Sequence, residues 1–357
     1  MGGKKLKVLV GMSGGVDSSV AALLLKHEGY EVTGAFIKVW QPDFLPCMAE
    51  DDRKDAMRVA AHLGIPFLTF NFADEYKKGV VDYMISEYAA GRTPNPDAMC
   101  NREIKFGAFL REALARGADY IATGHYARVI KNTDGFHLLA GIDRNKDQSY
   151  FLYTLGQKEL SRTLFPIGEY TKPQVRAIAE KAGLPTAQKK DSQGLCFVGK
   201  LNMKEFLARY IPSAMGEVHD GAGRVVGSHD GAAYYTIGQR HGFTVRAESA
   251  QQSPYYVVGK DIVSNTLTVS HTPKTTLSVT ERPINIHNAR WTNQPPEAGK
   301  RYQARLRYRQ VLAPCRVEIR GIGKALVHFK TLPALVPSGQ SLVIYDGAEC
   351  LGGGVII

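Results

Sequence analysis

The sequence predicts an α/β domain built on a mostly parallel sheet, followed by a small central β domain and a C-terminal β-barrel. Three observations predict it. From Lys5 to about Ala208, apolar strand-like runs alternate with amphipathic helical runs, the rhythm of βαβ units. After about Tyr210 the texture turns to Gly and Pro turns between short Val, Thr and Tyr strands, as in GEVHDGAGRVVGSHDG and YYVVGKDIVSNTLTVS. A second shift near Thr275 opens a stretch of strands punctuated by Pro and Gly, for which a small barrel is the natural packing. The domains are drawn accordingly at 1–208, 209–275 and 276–357.

In the first domain LKVLVGM reads as a strand, SSVAALLLKHEGY as a helix and EVTGAFIKV as the next strand. The unit then repeats. DDRKDAMRVAAHLG places Ala56, Val59, Ala60 and Leu63 on one helical face, and IPFLTFNF follows as a strand. FGAFLREALARG and ADYIATGHYARV continue as helix and strand. Such a sheet binds ligands beyond the carboxyl ends of its strands. In the last domain YQARLRYRQ, CRVEIRG, ALVHFK and SLVIYDG read as barrel strands.

The 357 residues are 44% hydrophobic and 22% charged, which argues against disorder, collagen and a small disulfide scaffold. No apolar run approaches the roughly 20 residues that cross a bilayer, so the chain reads as soluble, unexported and cytoplasmic, with no membrane partner. Cys47, Cys100, Cys196, Cys315 and Cys350 are widely spaced and form no CxxC pair, consistent with thiols in a reducing cytosol. Lys and Arg outnumber Asp and Glu by 45 to 34, leaving +11. Of this excess +6 lies in residues 276–357, which suits either a polyanion partner or a solubilising surface.

The run Gly11, Met12, Ser13, Gly14, Gly15, Val16, Asp17, Ser18 sits where the first strand ends and the first helix begins. Glycines there let successive N–H groups turn inward as an anion nest, the hydroxyls of Ser13 and Ser18 add donors, and the helix N-terminus adds a positive dipole. A phosphate chain is the fitting ligand. The GxxxxGK pattern of ATPase loops and the dinucleotide pattern GxGxxG are both absent. The segment instead resembles SGGxDS, the loop of the PP-loop ATP pyrophosphatases, which split ATP between its α and β phosphates and adenylate a carbonyl oxygen. Asp17 would be an anion among phosphates, which points to a Mg²⁺ partner.

Two segments carry candidate nucleophiles. In Arg92-Thr93-Pro94-Asn95-Pro96-Asp97-Ala98-Met99-Cys100-Asn101 the prolines stiffen a loop that holds a carboxylate and a thiol, suited to acid/base work beside a nucleophile. The same residues also suit a helix cap by Asp97 with an incidental buried thiol. In Lys189-Lys190-Asp191-Ser192-Gln193-Gly194-Leu195-Cys196 two ammonium groups near a thiol would favour the thiolate, unless the lysines only face solvent. Were the two thiols to meet at the phosphate loop, sulfur chemistry would follow, with one carrying a persulfide and the other releasing its terminal sulfur by forming a disulfide.

With SGGVDS, the segments AGRTPNPDAMCN, IATGHYARV, GIDRNKDQSYFLYTL, KKDSQGLCFVG, YTIGQRHG and RLRYRQ resemble the tRNA-specific 2-thiouridylase family over nearly the whole chain. The resemblance implies a PP-loop catalytic domain, a central β domain and a tRNA-binding C-terminal barrel. It implies ATP at Gly11–Ser18 with Ile37 and Gly124 lining the nucleotide. Asn95, Pro96 and Asp97 would face the target base. Cys196 would carry the persulfide, Cys100 would be its partner, and Asp97 the general acid/base. His125, Lys146, Asp147, Gln148, Arg307, Tyr308 and Gln340 match tRNA-contacting positions, although His125 also suits a packed core histidine and Tyr308 ordinary barrel core. The chain departs from the family's common Met at Ile37 and its common Lys-Asn-Trp at Lys38-Val39-Trp40. Cys47 receives no role, and Cys315 and Cys350 read as structural.

The implied partners are tRNA at its anticodon loop and wobble uridine, ATP with Mg²⁺, a persulfide donor (a cysteine desulfurase or a relay protein) and a thiol reductant. Two rivals stand beside this reading: a PP-loop enzyme using a nitrogen nucleophile, and a tRNA-binding protein without catalysis.

Overall fold

The computed structural model describes residues 5–44, 49–190, 203–246, 254–272, 283–330 and 336–357. Cys47 and Cys196 lie outside them. The first sheet holds β1 (Lys7–Gly11), β2 (Glu31–Lys38), β3 (Phe67–Asn71), β4 (Tyr120–Thr123) and β7 (Thr163–Leu164), in the order β3-β2-β1-β4-β7 with every neighbour parallel. Because β1 lies between β2 and β4, the chain winds outward from it in both directions. The crevice beyond the ends of β1 and β4 is thus the switch point where such sheets bind ligands.

Helix α1 (Val16–His27) starts directly from the loop after β1. Asp17 in its first turn and Lys26 and His27 in its last both suit the helix dipole. Val16, Val20, Ala21, Ala22, Leu23 and Leu25 are buried, so α1 is an inner helix with most of its circumference covered. Helix α2 (Ala49–Leu63) is an outer one, and it buries the Ala56, Val59, Ala60 and Leu63 face that the periodicity predicts. Three contiguous helical stretches, Ala73–Tyr76, Lys77–Asp82 and Tyr83–Ala89, form α3. Another three, Pro96–Cys100, Asn101–Ala108 and Phe109–Ala115, form α4; both carry a π-helical middle. Helix α5 (Lys172–Lys181) begins with a capping box between Thr171 and Gln174.

ADYIATGHYARV, read as one strand, is two. β4 ends at Thr123, and the chain turns at Gly124 into β5 (Ala127–Asn132), which pairs with β6 (Gly135–Ala140) as a hairpin outside the parallel sheet. The cause is steric: a Cβ at Gly124 would sit 2.6 Å from the Ser18 nitrogen, so only glycine lets the chain turn against the start of α1.

The central sheet holds β8 (Gly216–His219), β9 (Val225–His229), β10 (Thr244–Val245), β11 (Tyr256–Asp261) and β12 (Thr266–Ser270), in the order β10-β9-β8-β12-β11. The C-terminal strands are β13 (Ile284–Trp291), β14 (Tyr302–Arg305), β15 (Ala313–Ile319), β16 (Lys324–Phe329), β17 (Ser341–Asp346) and β18 (Glu349–Ile356). They run β13-β16-β15-β14-β17-β18 and close through a β13–β18 pairing, giving a six-stranded antiparallel barrel. Alternation along β15 puts Ala313, Cys315 and Val317 inward and Pro314 and Arg316 outward. The hairpin β5–β6 joins this sheet through Leu139 and Glu349. YQARLRYRQ is a strand only to Arg305; Arg307 and Tyr308 lie in the turn that follows.

Candidate functional site

The loop from Gly11 to Ser18 leaves β1 at the switch point. Met12 and Val16 are buried, so their side chains anchor the loop, and the Met12 N–H is tied to the Ala35 carbonyl at 2.7 Å. Ser18 Oγ accepts from the Ser13 N–H at 3.2 Å and donates to the Gly15 carbonyl at 3.2 Å, which closes the loop on itself. Gly14 takes a φ of +74°, and a Cβ there would meet the Asp52 carbonyl of α2 at 2.3 Å. Gly124, 106 residues from Ser18, packs on Asp17 and Ser18 from the other wall of the crevice. Ile37 lies near the end of β2 beside Phe70 of β3.

Asp17 does not wait for a metal. Lys172, the first residue of α5, reaches both of its carboxylate oxygens, at 2.8 and 2.9 Å, and the Tyr126 hydroxyl donates to one of them at 2.8 Å. The sequence reading gave Asp17 a Mg²⁺ partner because a bare carboxylate would repel phosphate. Lys172 meets that need instead, so Asp17 does not fit as the anchor of a protein-built Mg²⁺ site. Among the described residues no three His, Cys, Asp or Glu side chains group to hold a metal ion. Neither Lys172 nor Tyr126 was foreseen, since nothing local in YTKPQVR or GHYARV marks them as partners of Asp17.

The second feature is α4. Asn95, not Asp97, caps it: the Asn95 side chain accepts from the Ala98 N–H at 3.2 Å, and Pro96 follows in the first turn. That leaves Asp97 available for chemistry. Asp97 and Cys100, three residues apart on the helix, share a face. Asp97 is solvent-exposed at its residue surface, whereas Cys100 is buried at 7% exposure. Surrounding protein raises the Asp97 pKa by desolvation, against the pull of the Lys105 ammonium about two turns further on. Further along α4, Phe109 lies 3.7 Å from where a Cβ on Gly11 would be, so the helix that carries Cys100 also packs beneath the phosphate loop.

His125 follows Gly124 and is buried between Phe106 and Phe165, with Nδ1 2.7 Å from Thr123 Oγ1. Burial first, and Lys105 second, hold its pKa well below the ordinary histidine value, so it is neutral. This is the packed core histidine that the sequence left open.

The loop ahead of α4 is where the three domains meet. The Thr93 N–H donates to the Ser338 carbonyl at 2.8 Å, Gln340 Nε2 to the Pro94 carbonyl at 3.3 Å, and Asn95 Nδ2 to Ser341 Oγ at 3.1 Å, all from the chain entering β17. From the central domain Thr236 receives the Thr93 hydroxyl at 3.3 Å. Arg307 bridges barrel to central domain through the Ile237 carbonyl at 2.9 Å. Tyr308 packs against Phe151, with ring centres 4.6 Å apart and planes tilted by 46°, rather than entering the barrel core.

Asp147 is buried and pairs with Arg305 of β14, while its other oxygen accepts from the Gly141 and Ser149 N–H groups at 3.2 and 3.0 Å. Gln148 accepts from the Tyr126 N–H at 3.1 Å. Lys146 lies half-buried in the same turn. Asp147 thus joins the barrel to the first domain, while Gln148 ties its own turn to Tyr126. Lys189, read as a cation beside Cys196, is committed elsewhere: it bridges Asp52 at 2.8 Å and Asp55 at 2.7 Å on α2. Its charge is already matched, which weakens its case for stabilising a thiolate. Burial pushes the Cys315 and Cys350 thiols up to about 12, so both are inert packing.

Three family models match the chain in succession: a tRNA methyl transferase HUP domain over 6–200, a tRNA methyl transferase PRC-barrel domain over 204–271, and an aminomethyltransferase beta-barrel domain over 281–356. The chain is 49% identical over 362 residues to the tRNA-specific 2-thiouridylase MnmA of Streptococcus sanguinis, covering 99% of this chain and 95% of that one. It is 50% identical over 355 residues to the protein of that name from Xanthomonas campestris, covering 98% and 93%. Among solved structures, the U34-tRNA thiolase NcsA of Methanococcus maripaludis overlaps 54% of this chain and 61% of its own at 18% identity, with a TM-score of 0.37, too slight a likeness to carry an argument. Matched by three domain models over most of its length and, over 98–99% of it, by 2-thiouridylases at about half identity, the chain belongs to the tRNA-specific 2-thiouridylase family.

Proposed function

We propose that this protein is an ATP-dependent tRNA-uridine 2-sulfurtransferase. ATP binds the Gly11–Ser18 loop, and the oxygen on carbon 2 of the wobble uridine attacks its α phosphorus, releasing pyrophosphate and turning a poor leaving group into AMP. A persulfide on Cys196 then attacks carbon 2 and AMP departs. Cys100 attacks the inner sulfur, so the terminal sulfur stays on the base as 2-thiouridine and a Cys100–Cys196 disulfide remains. An external thiol reductant reopens it. A persulfide donor protein, a cysteine desulfurase or a relay protein, reloads Cys196.

Asp97 moves the protons: it shares a helix face with Cys100, and desolvation raises its pKa above the ordinary carboxylate value, which favours taking a proton up. The uridine must leave the stacked anticodon loop to reach this face, and Asn95 and Pro96 line its approach. The basic barrel, with Arg307, Tyr308 and Gln340 at its junction, would hold the tRNA backbone, together with Lys146 and the turn that carries Asp147 and Gln148. Such binding weakens steeply with salt. Magnesium enters only as the nucleotide's companion ion, and no step here depends on it.

The observation that carries the reading is the helix α4. It bears Asp97 and Cys100 on one face and, through Phe109, packs beneath Gly11 of the phosphate loop. A single-turnover assay that follows pyrophosphate and 2-thiouridine together tests it. Cys100→Ser and Cys196→Ser should still release pyrophosphate in a tRNA-dependent way while forming no 2-thiouridine. A nitrogen nucleophile predicts that both variants keep full turnover, and a non-catalytic binding protein predicts no pyrophosphate at all.

A further inference from the structure

A lysine in the first turn of a helix opposes the helix dipole, and burying its side chain adds a desolvation cost. Lys172 accepts both. It is the first residue of α5, is 8% exposed, and points its ammonium at the first turn of α1. Its backbone is fixed as well as its side chain: its N–H donates to Asp143 Oδ2 at 2.9 Å, and the capping box of Thr171 and Gln174 sets the helix start. The ammonium grips both oxygens of Asp17 and lies 6.0 Å from the centre of the Tyr126 ring, whose hydroxyl donates to the same carboxylate.

We propose that Lys172 is a positioning residue of the phosphate site. It cancels the charge of Asp17 where a polyphosphate must bind, and with Tyr126 it fixes the rotamer of Asp17 at the start of α1. The inference rests on the ATP reading of the Gly11–Ser18 loop. It assigns to a side chain the neutralising role that a metal ion would otherwise fill at Asp17. Without Lys172, Asp17 becomes an uncompensated anion facing the ligand, so removing the carboxylate as well should repair part of the damage. A pair that merely ties α5 to α1 predicts no such repair in ligand affinity.

The test is calorimetric binding of inorganic pyrophosphate and of ATP to the full chain, with steady-state constants alongside. Lys172→Met should weaken pyrophosphate binding about tenfold or more, on the scale of a lost charge-assisted contact. The KM for ATP should rise more than kcat falls. Asp17→Asn/Lys172→Met should bind pyrophosphate more tightly than Lys172→Met alone, and Lys172→Arg should stay near wild type. Wild-type affinity in Lys172→Met, or a double variant no better than the single one, overturns the proposal. If Lys172→Met does not fold, equal pyrophosphate affinity in Lys172→Arg and the double variant overturns it, and tighter binding by Lys172→Arg supports it. The wild type reports separately on the underlying reading: failure to bind either ligand removes both, whereas binding without thiolation removes only the thiolase assignment.

Discussion

Asn95 Nδ2 donates to Ser341 Oγ at 3.1 Å, a buried hydrogen bond between residues 246 positions apart. The residue that caps α4 is thereby held by the first residue of β17, so the barrel fixes the start of the helix that carries Asp97 and Cys100. Ser341 also donates to the Tyr153 hydroxyl at 3.3 Å. Ser341→Ala should cost about 1–3 kcal/mol in urea denaturation, the penalty of stranding a buried donor. It should lower kcat several-fold with tRNA affinity little changed. A loss confined to tRNA affinity would sink the idea that the barrel positions α4.

Asp97→Asn should stabilise the protein at neutral pH while abolishing thiolation. The sign follows from its raised pKa: ionisation is harder in the folded chain than in the unfolded one, so stability is lost as pH rises from the ordinary carboxylate value through the folded value. Asparagine removes that loss. Urea denaturation at pH 7 and at pH 3 checks it: the variant should gain at pH 7 and converge on wild type in acid. A variant less stable than wild type at pH 7 would contradict the desolvated-carboxyl account.

His125 and His137 should push stability in opposite directions with pH. Burial depresses the His125 pKa, so its contribution is present above the ordinary histidine value near 6.5 and lost as pH falls below it. His137 sits between Glu349 at 2.7 Å and Asp134 at 2.9 Å, where the hydrogen bond to Glu349 outweighs burial and raises its pKa. Its contribution is present below 6.5 and lost as pH rises through the raised value. Thermal melting from pH 5 to 9 should show His125→Asn flattening the acid side and His137→Gln destabilising mainly the acid side. Parallel pH profiles for the two variants would refute the assignment.

The buried pair of Arg305 and Asp147 locks β14 to the catalytic domain, with Tyr345 Oη 2.8 Å from the guanidinium. Arg305→Met strands a buried carboxylate and should cost about 3–5 kcal/mol. Adding Asp147→Asn should return part of that loss, because the orphaned charge disappears while a side-chain oxygen still faces the Gly141 and Ser149 N–H groups. Losses that simply add, measured in urea, would show that the charge is not what matters.

The repeating βαβ units were legible because helical and strand periodicities are local, and α2 buries the face its spacing marked. The phosphate loop was legible from its glycines and its place after β1; Asp97 and Cys100 were legible as a pair but in a stiffened loop, whereas helix begins at Pro96 and carries both. What escaped the sequence is long-range pairing. Lys172 lies 155 residues from Asp17, Ser341 lies 246 from Asn95, and neither pair has a period to betray it. The hairpin β5–β6 was missed because ADYIATGHYARV reads as a single strand, and the crowding of Gly124 against Ser18 marks where it breaks. Asp147 was legible as a notable residue but not as a buried partner of Arg305, since burial is decided by how the barrel docks.

The central claim is that sulfur reaches the base through Cys196 after ATP activates the uridine. The most direct measurement loads the protein with heavy-isotope persulfide, removes the donor, adds ATP and tRNA lacking the 2-thio group, and reads the digested nucleosides by mass spectrometry. The account predicts heavy 2-thiouridine in amounts no greater than the protein, none from Cys196→Ser, and none without ATP. Heavy 2-thiouridine from Cys196→Ser, or product formed without ATP, would contradict it.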